Sequence, residues 1–142
     1  MYHKVILVGY LGRDPEMRYT PDGTPVTTFS MATDRKWVNQ DGSQGQETIW
    51  WRVTAWRKLA ETCNQYLTKG RPVLVEGVMR PDPQTGGPRV WTGNDGTARA
   101  SFEVTARTVK FLPSRGEPTP GVPGVEEEEP PAGFMEENEI PF

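Results

Sequence analysis

Residues Ile49 to Trp56 read as an extended strand whose two sides differ in character. On an extended strand Ile49, Trp51, Val53 and Ala55 fall on one side, and Trp50, Arg52, Thr54 and Trp56 on the other. The first set is apolar enough to face a core, so a sheet that buries it must show the second set to water. Upstream, Val5-Ile6-Leu7-Val8 is a short apolar run stopped by Gly9, Gly12 and Asp14-Pro15, which predicts a strand and then a turn. Thr20-Pro21-Asp22-Gly23 predicts a second turn, and Val26 to Thr33 a second strand. A polar loop, Asn39 to Ser43, leads to the third strand, Thr48 to Trp56. The period then changes. Leu59, Cys63, Tyr66 and Leu67 recur at helical spacing, which predicts an amphipathic helix over Lys58 to Lys69 with Gly70 as the residue that closes it. Val73 to Met79 reads as a fourth strand and Ala98 to Phe111 as a fifth. Pro81 to Gly96, between them, reads as a long loop rich in Pro, Gly and Asp with Trp91 in its middle.

The pattern fails beyond Leu112. Of the thirty residues from 113 to 142, seven are Pro and four are Gly, and Glu126 to Glu129 form an acidic block. So few apolar side chains do not offset the entropy of ordering, which predicts a disordered linker over 113–133. Apolar character returns only at Phe134-Met135 and Ile140-Pro141-Phe142, so residues 134–142 read as a separate acidic tip. The expected organisation is one folded domain, 1–112, followed by that linker and tip. Charge divides at the same boundary: residues 1–112 hold 15 Lys/Arg against 11 Asp/Glu, whereas residues 113–142 hold one Arg against eight Glu. The net charge of −3 therefore hides a mildly basic body and an acidic tail, an asymmetry that points to nucleic-acid work with a separate interaction segment.

Other classes of function lack their residues. There is no run of eighteen apolar residues, and the Met1-Tyr2-His3-Lys4 start lacks the apolar stretch of a secretory signal, so the expectation is a cytoplasmic, nucleoid-associated protein without a membrane partner. Cys63 is the sole cysteine and His3 the sole histidine, which leaves no zinc site and no internal disulfide; Cys63 reads as a small core residue. Carboxylates such as Asp14, Glu16, Glu47, Glu61 and Glu76 show no metal-triad spacing, and neither a P-loop nor a nucleophile elbow is present. The chain thus reads as a binder without a cofactor rather than an enzyme. Two indoles with a guanidinium between them form a surface on which unpaired bases stack while their phosphates are neutralised. Trp and Arg also simply cover half-solvated strands, and aromatics of this kind can meet a Pro-rich peptide.

Three strands, one helix and two further strands is the element order of the OB-fold. This five-stranded Greek-key barrel places its helix between strands three and four and grips oligonucleotides along one surface. The residues carry a closer likeness. Lys4-Val5-Ile6-Leu7-Val8-Gly9, Leu11 to Tyr19, Phe29-Ser30-Met31-Ala32-Thr33, Trp50-Trp51-Arg52-Val53, Lys58-Leu59-Ala60-Glu61, Tyr66 to Gly70, Val75-Glu76-Gly77 and the terminal Ile140-Pro141-Phe142 resemble, in order, the bacterial single-stranded DNA-binding protein family.

The resemblance implies sequence-independent binding of single-stranded DNA in replication, recombination and repair. It assigns base stacking to Trp37, Trp50, Trp56 and Trp91, and phosphate contacts to Arg52, Lys58, Lys69, Arg80, Arg89 and Arg99. It implies a homotetramer, and a C-terminal tip of Glu136, Glu137, Glu139, Ile140, Pro141 and Phe142 that recruits replication, recombination and repair proteins. Four departures stand out. Pro81 to Pro88 looks like an insertion ahead of Trp91, and Tyr10 replaces a small polar residue. Trp51 takes a position that is often His and lies toward the subunit interface, and Glu136-Glu137-Asn138-Glu139 replaces an Asp run. An RNA-binding or recombination-specialised paralogue fits the same residues, because nothing in them reports on the 2′-hydroxyl.

Overall fold

A computed structural model describes residues 1–114, so the linker beyond Ser114 and the acidic tip lie outside the described residues. Within them the chain runs β1 (Val5–Leu11), β2 (Glu16–Tyr19), β3 (Pro25–Val38), β4 (Gln44–Trp56), α1 (Lys58–Tyr66), β5 (Pro72–Met79), β6 (Arg89–Thr92) and β7 (Ala98–Phe111). Five long strands pair in the order β1-β5-β7-β4-β3, and Tyr10 and Leu11 of β1 return to Ala32 and Met31 of β3 to close the barrel. All pairings are antiparallel except β4 with β7, the parallel contact that a Greek-key closure leaves. The architecture is therefore the OB-fold that the element order implies, with α1 between the third and fourth barrel strands. Closure brings backbones close: a Cβ on Gly9 would lie only 2.0 Å from the Ala32 carbonyl oxygen, so glycine is required where β1 crosses β3.

The alternation of β4 holds. Val53 and Ala55 are fully buried, beside Phe29 and Met31 of β3, Val73 and Val75 of β5 and Val104 of β7. Helix α1 plugs one end of the barrel with Ala60, Cys63 and, just past its end, Leu67. Thr27 is the buried polar link between the layers, its hydroxyl donating to the Ala60 carbonyl at 2.7 Å. Burial also pushes the Cys63 thiol up to about 11, so at neutral pH the group is an inert core methyl-like surface rather than a thiolate.

Several boundaries depart from the sequence expectation. The helix stops at Tyr66, and Leu67 turns to an extended backbone (φ −89°, ψ 140°) so that its side chain reaches the core. Gly70 therefore does not close the helix; with φ 82° it forms the turn in which Arg71 N–H donates to the Thr68 carbonyl, while its own N–H reaches the Leu11 carbonyl at 2.9 Å. Strands β3 and β4 run on past Thr33 and before Thr48 as a two-stranded ribbon, held by polar cross-strand pairs: Thr48 to Asp34 at 2.6 Å and Arg35 to Glu47 at 3.0 Å. Trp91 sits not in an irregular loop but on β6, paired with β7. Both β2 and β6 are four-residue strands on the barrel's outside, organised by hairpin turns at Gly23 and Gly96 rather than by an apolar pattern.

Each hairpin turn carries an aspartate held below its usual range. The Thr20 hydroxyl does this to Asp22, the Ser43 hydroxyl and N–H to Asp41, and the Thr97 N–H with the Arg99 guanidinium to Asp95. These are turn-closing hydrogen bonds to the ionised carboxylate.

Candidate nucleic-acid interface

The outer face of β4 presents Trp50, 56 % exposed, then Arg52, Thr54 and Trp56, 41 % exposed. Their cross-strand partners on β3 are Ala32, Ser30, Thr28 and Val26, small side chains that leave the rings and the guanidinium standing above a shallow floor. The indole of Trp50 rests on Gly12, where a Cβ would come within 2.5 Å of its Cζ3. At about 3.4 Å per residue, the six residues from Trp50 to Trp56 separate the two rings by roughly 20 Å along the strand.

The β6–β7 hairpin supplies the facing wall. Trp50, Arg52 and Trp91 line one groove with Arg13, Thr28 and Ser30, and an adjoining cleft joins Arg52, Arg89, Trp91, Ser101 and Glu103. Two of the indoles and two of the cations expected from the sequence are thus brought together, and Trp56 continues the same strand face beyond them. Glu103 is the partner of Arg52 across the parallel β4–β7 pairing, and its carboxylate lies 3.8 Å from Arg52 Nε and 3.8 Å from an Arg89 terminal nitrogen.

The other expected residues are placed differently. Trp37 pairs with Gly45, and alternation puts it on the opposite face of the β3–β4 ribbon from Trp50. Its ring packs on Gly45, its Nε1 donates to Asn39 at 2.9 Å, and the Arg35 guanidinium lies 4.9 Å from its centre. Arg99 ion-pairs with Asp95 at 3.2 Å at the hairpin end, and Lys58 lies 3.8 Å from Glu61 at the start of α1. Arg80 lies beyond β5 in an apolar pocket with Met79 and Phe102, its main-chain N–H bonded to the Glu103 carbonyl. Lys69 is exposed, and its N–H donates to Asp14 at 2.8 Å. Trp51 is half-buried, with its Nε1 on the Thr33 hydroxyl at 2.9 Å and its ring 5.4 Å from that of Phe102. Glu136, Glu137, Glu139, Ile140, Pro141 and Phe142 lie outside the described residues.

Sequence reasoning missed Gly12 and Glu103 as parts of the site. Gly12 was legible only as a turn glycine, and Glu103 meets Arg52 through a strand pairing that no local pattern announces. Among the described residues no group of three or more His, Cys, Asp or Glu is placed to hold a metal ion, and no helix is long and apolar enough to cross a membrane.

Comparison with known proteins adds a family. Residues 2–112 match the family model of the single-strand binding protein family. A single-stranded DNA-binding protein of Neisseria meningitidis serogroup B is 41% identical over 121 residues, covering 85% of this chain and 66% of the relative, just under two thirds of its length. One from Thermotoga maritima is 41% identical over 145 residues, covering 99% of this chain and 98% of the relative. Among solved structures, a Plasmodium falciparum SSB in complex with ssDNA superposes with a TM-score of 0.64 at 25% identity, covering 80% of this chain and 97% of that one. A small single-stranded DNA-binding protein from Streptomyces coelicolor, at 23% identity and a TM-score of 0.63, shares the fold.

The seat of Trp50 is testable directly. Gly12→Ala forces a methyl into its ring, and the exposed ring gives way at a cost of about 1 kcal/mol or less. In a nitrogen–proton spectrum the Trp50 indole N–H signal should move well beyond the other four; an unmoved signal would mean that the ring does not rest there.

Proposed function

Because the chain belongs to the single-strand binding protein family, we propose that it binds and protects single-stranded DNA, irrespective of sequence, during replication, recombination and repair. The observation that carries this reading is the groove in which Trp50 and Trp91 flank Arg52 and Arg89. Flat rings accept any base, because every base has a π-face, and a duplex keeps those faces occupied. Trp50 and Trp91 take bases across the groove and Trp56 takes one further along the β4 face, while Arg52 and Arg89 meet the phosphates. Trp37 takes a base as the strand passes around the ribbon; Lys58, Lys69, Arg80 and Arg99 follow the backbone further out. Stacking contributes about 1–3 kcal/mol per base, against which the ordering of strand and side chains must be set. The relatives named for single-stranded DNA and the ssDNA-bound neighbour of the same fold support the choice of ligand. The role is binding rather than catalysis, and it belongs in the cytoplasm.

The assembly proposed is a homotetramer that wraps one strand among its subunits. On the outside of β1, Ile6, Val8 and Tyr10 are each more than half exposed in a row, an apolar strip that a second copy would cover. Residues 1–112 act as the binding domain, 113–133 as a linker and 134–142 as a docking tip. Phe142 offers an apolar ring, with Pro141 limiting its approach, Ile140 apolar beside them, and Glu136, Glu137 and Glu139 adding charge. An apolar pocket rimmed by Arg or Lys on a replication, recombination or repair protein complements that combination.

Three outcomes are expected. Titrating the chain with oligo-dT should quench tryptophan emission, and Trp50→Ala should weaken binding about 5- to 150-fold, with duplex of equal length binding far less well; equal affinity for duplex would refute the reading. Deleting Pro141-Phe142 should abolish capture of a replication or repair partner and leave the oligo-dT titration unchanged or slightly tighter, whereas a large loss of DNA affinity would contradict a docking role. Light scattering should give the mass of four chains, and Val8→Glu should lower it; a monomeric mass for the unaltered chain would remove the tetramer.

A further inference from the structure

Glu103 faces both Arg52 and Arg89. Strand pairing fixes its position, since it is the Cα partner of Arg52 across β4 and β7, and its side chain is only 21% exposed. Arg89 reaches the same carboxylate oxygen from β6, where it pairs with Ser101, two residues before Glu103. Both separations are 3.8 Å, longer than the 2.7–2.9 Å of a charge-assisted hydrogen bond. The carboxylate therefore draws both guanidiniums toward it without using up their donors. Among the groups beside this cleft, Arg13, Asp14 and Glu16 line the neighbouring stretch of groove, Arg80 is bonded to Glu103 through its main chain, and Arg99 is paired with Asp95.

We infer that Glu103 is an internal counter-ion that sets the phosphate stoichiometry of the groove, holding the Arg52 and Arg89 pair to one phosphodiester instead of two. The inference rests on the single-strand-binding reading above and goes beyond it. Two guanidiniums and one carboxylate leave a single positive charge, which one phosphate neutralises. Without the carboxylate the pair carries two positive charges and draws a second phosphate. Glu103 thus keeps the strand more loosely held, and its binding less dependent on salt, than two bare arginines would.

The test is the slope of log K against log salt for oligo-dT, measured with the full chain, Glu103→Gln, Arg89→Gln and the double substitution. Each phosphate neutralised on single-stranded DNA contributes a slope of about −0.7. Glu103→Gln should bind more tightly at low salt and steepen the slope by about 0.7, so that it loses about threefold more affinity than the unaltered chain over a fourfold rise in salt. Arg89→Gln should flatten the slope by a similar amount, and Glu103→Gln with Arg89→Gln should restore the original value. If Glu103 merely held the arginines in place, Glu103→Gln would instead weaken binding and flatten the slope. That result, or no change in slope, overturns the inference. Should Glu103→Gln fail to fold, Arg52→Gln with Arg89→Gln, which keeps Glu103, reads the same stoichiometry: its slope should match that of Arg89→Gln alone, and a further flattening of about 0.7 would show that the pair held two phosphates and overturn the inference. Failure of the unaltered chain to prefer oligo-dT over duplex is a separate result, which removes the underlying reading rather than the role of Glu103.

Discussion

Everything in this molecule depends on β4 being hydrogen-bonded along both edges while only one of its faces is dry. Its partners are β3 on one side, antiparallel, and β7 on the other, parallel, so much of its backbone is spent on the barrel itself. With Val53 and Ala55 sealed in the core, the side chains of alternate residues are what the strand has left to offer a ligand. That constraint explains why the site is built of rings and guanidiniums on a wall rather than of a loop that folds around its target. Across from them on β3 stand Ala32, Ser30, Thr28 and Val26, whose small side chains keep the wall flat.

The features legible in the sequence were those written in a local period. The faces of β4, the helix between the third and fourth barrel strands, the burial of Cys63 and the polar turn at Asn39 to Ser43 all follow from spacing or turn chemistry over a few residues. What was illegible depends on distant partners. Residues 34–38 and 44–47 carry no apolar alternation, and they are strands because polar pairs such as Asp34 with Thr48 tie the two arms together. The helix ends three residues early because Leu67 is needed inside the barrel, a demand that helical spacing reads as one more turn. Strand β6 exists because β7 is there to pair with it, and Trp91 becomes part of the site only through that pairing.

The candidate site divides along the same line. Trp50, Arg52 and Trp56 share a face by alternation alone, whereas the meeting of Trp91 and Arg89 with them is a product of barrel closure. Family likeness pointed to Trp37 as well, yet parity sets it on the far side of the ribbon, packed on Gly45 beneath an arginine. A surface that curves around the ribbon accommodates both, because a polymer, unlike a small ligand, need not meet all its contacts on one plane.

The single thiol of this chain lies behind the helix plug, fully shielded and held in its protonated form. Copies crowded side by side on a nucleic-acid strand would bring any surface cysteines within bonding reach of each other. Oxidants would then weld the coat into covalent chains that could no longer be shed. On the proposed reading, a sulfur walled off in this way keeps neighbouring copies separable under the same oxidative insult that damages the strand.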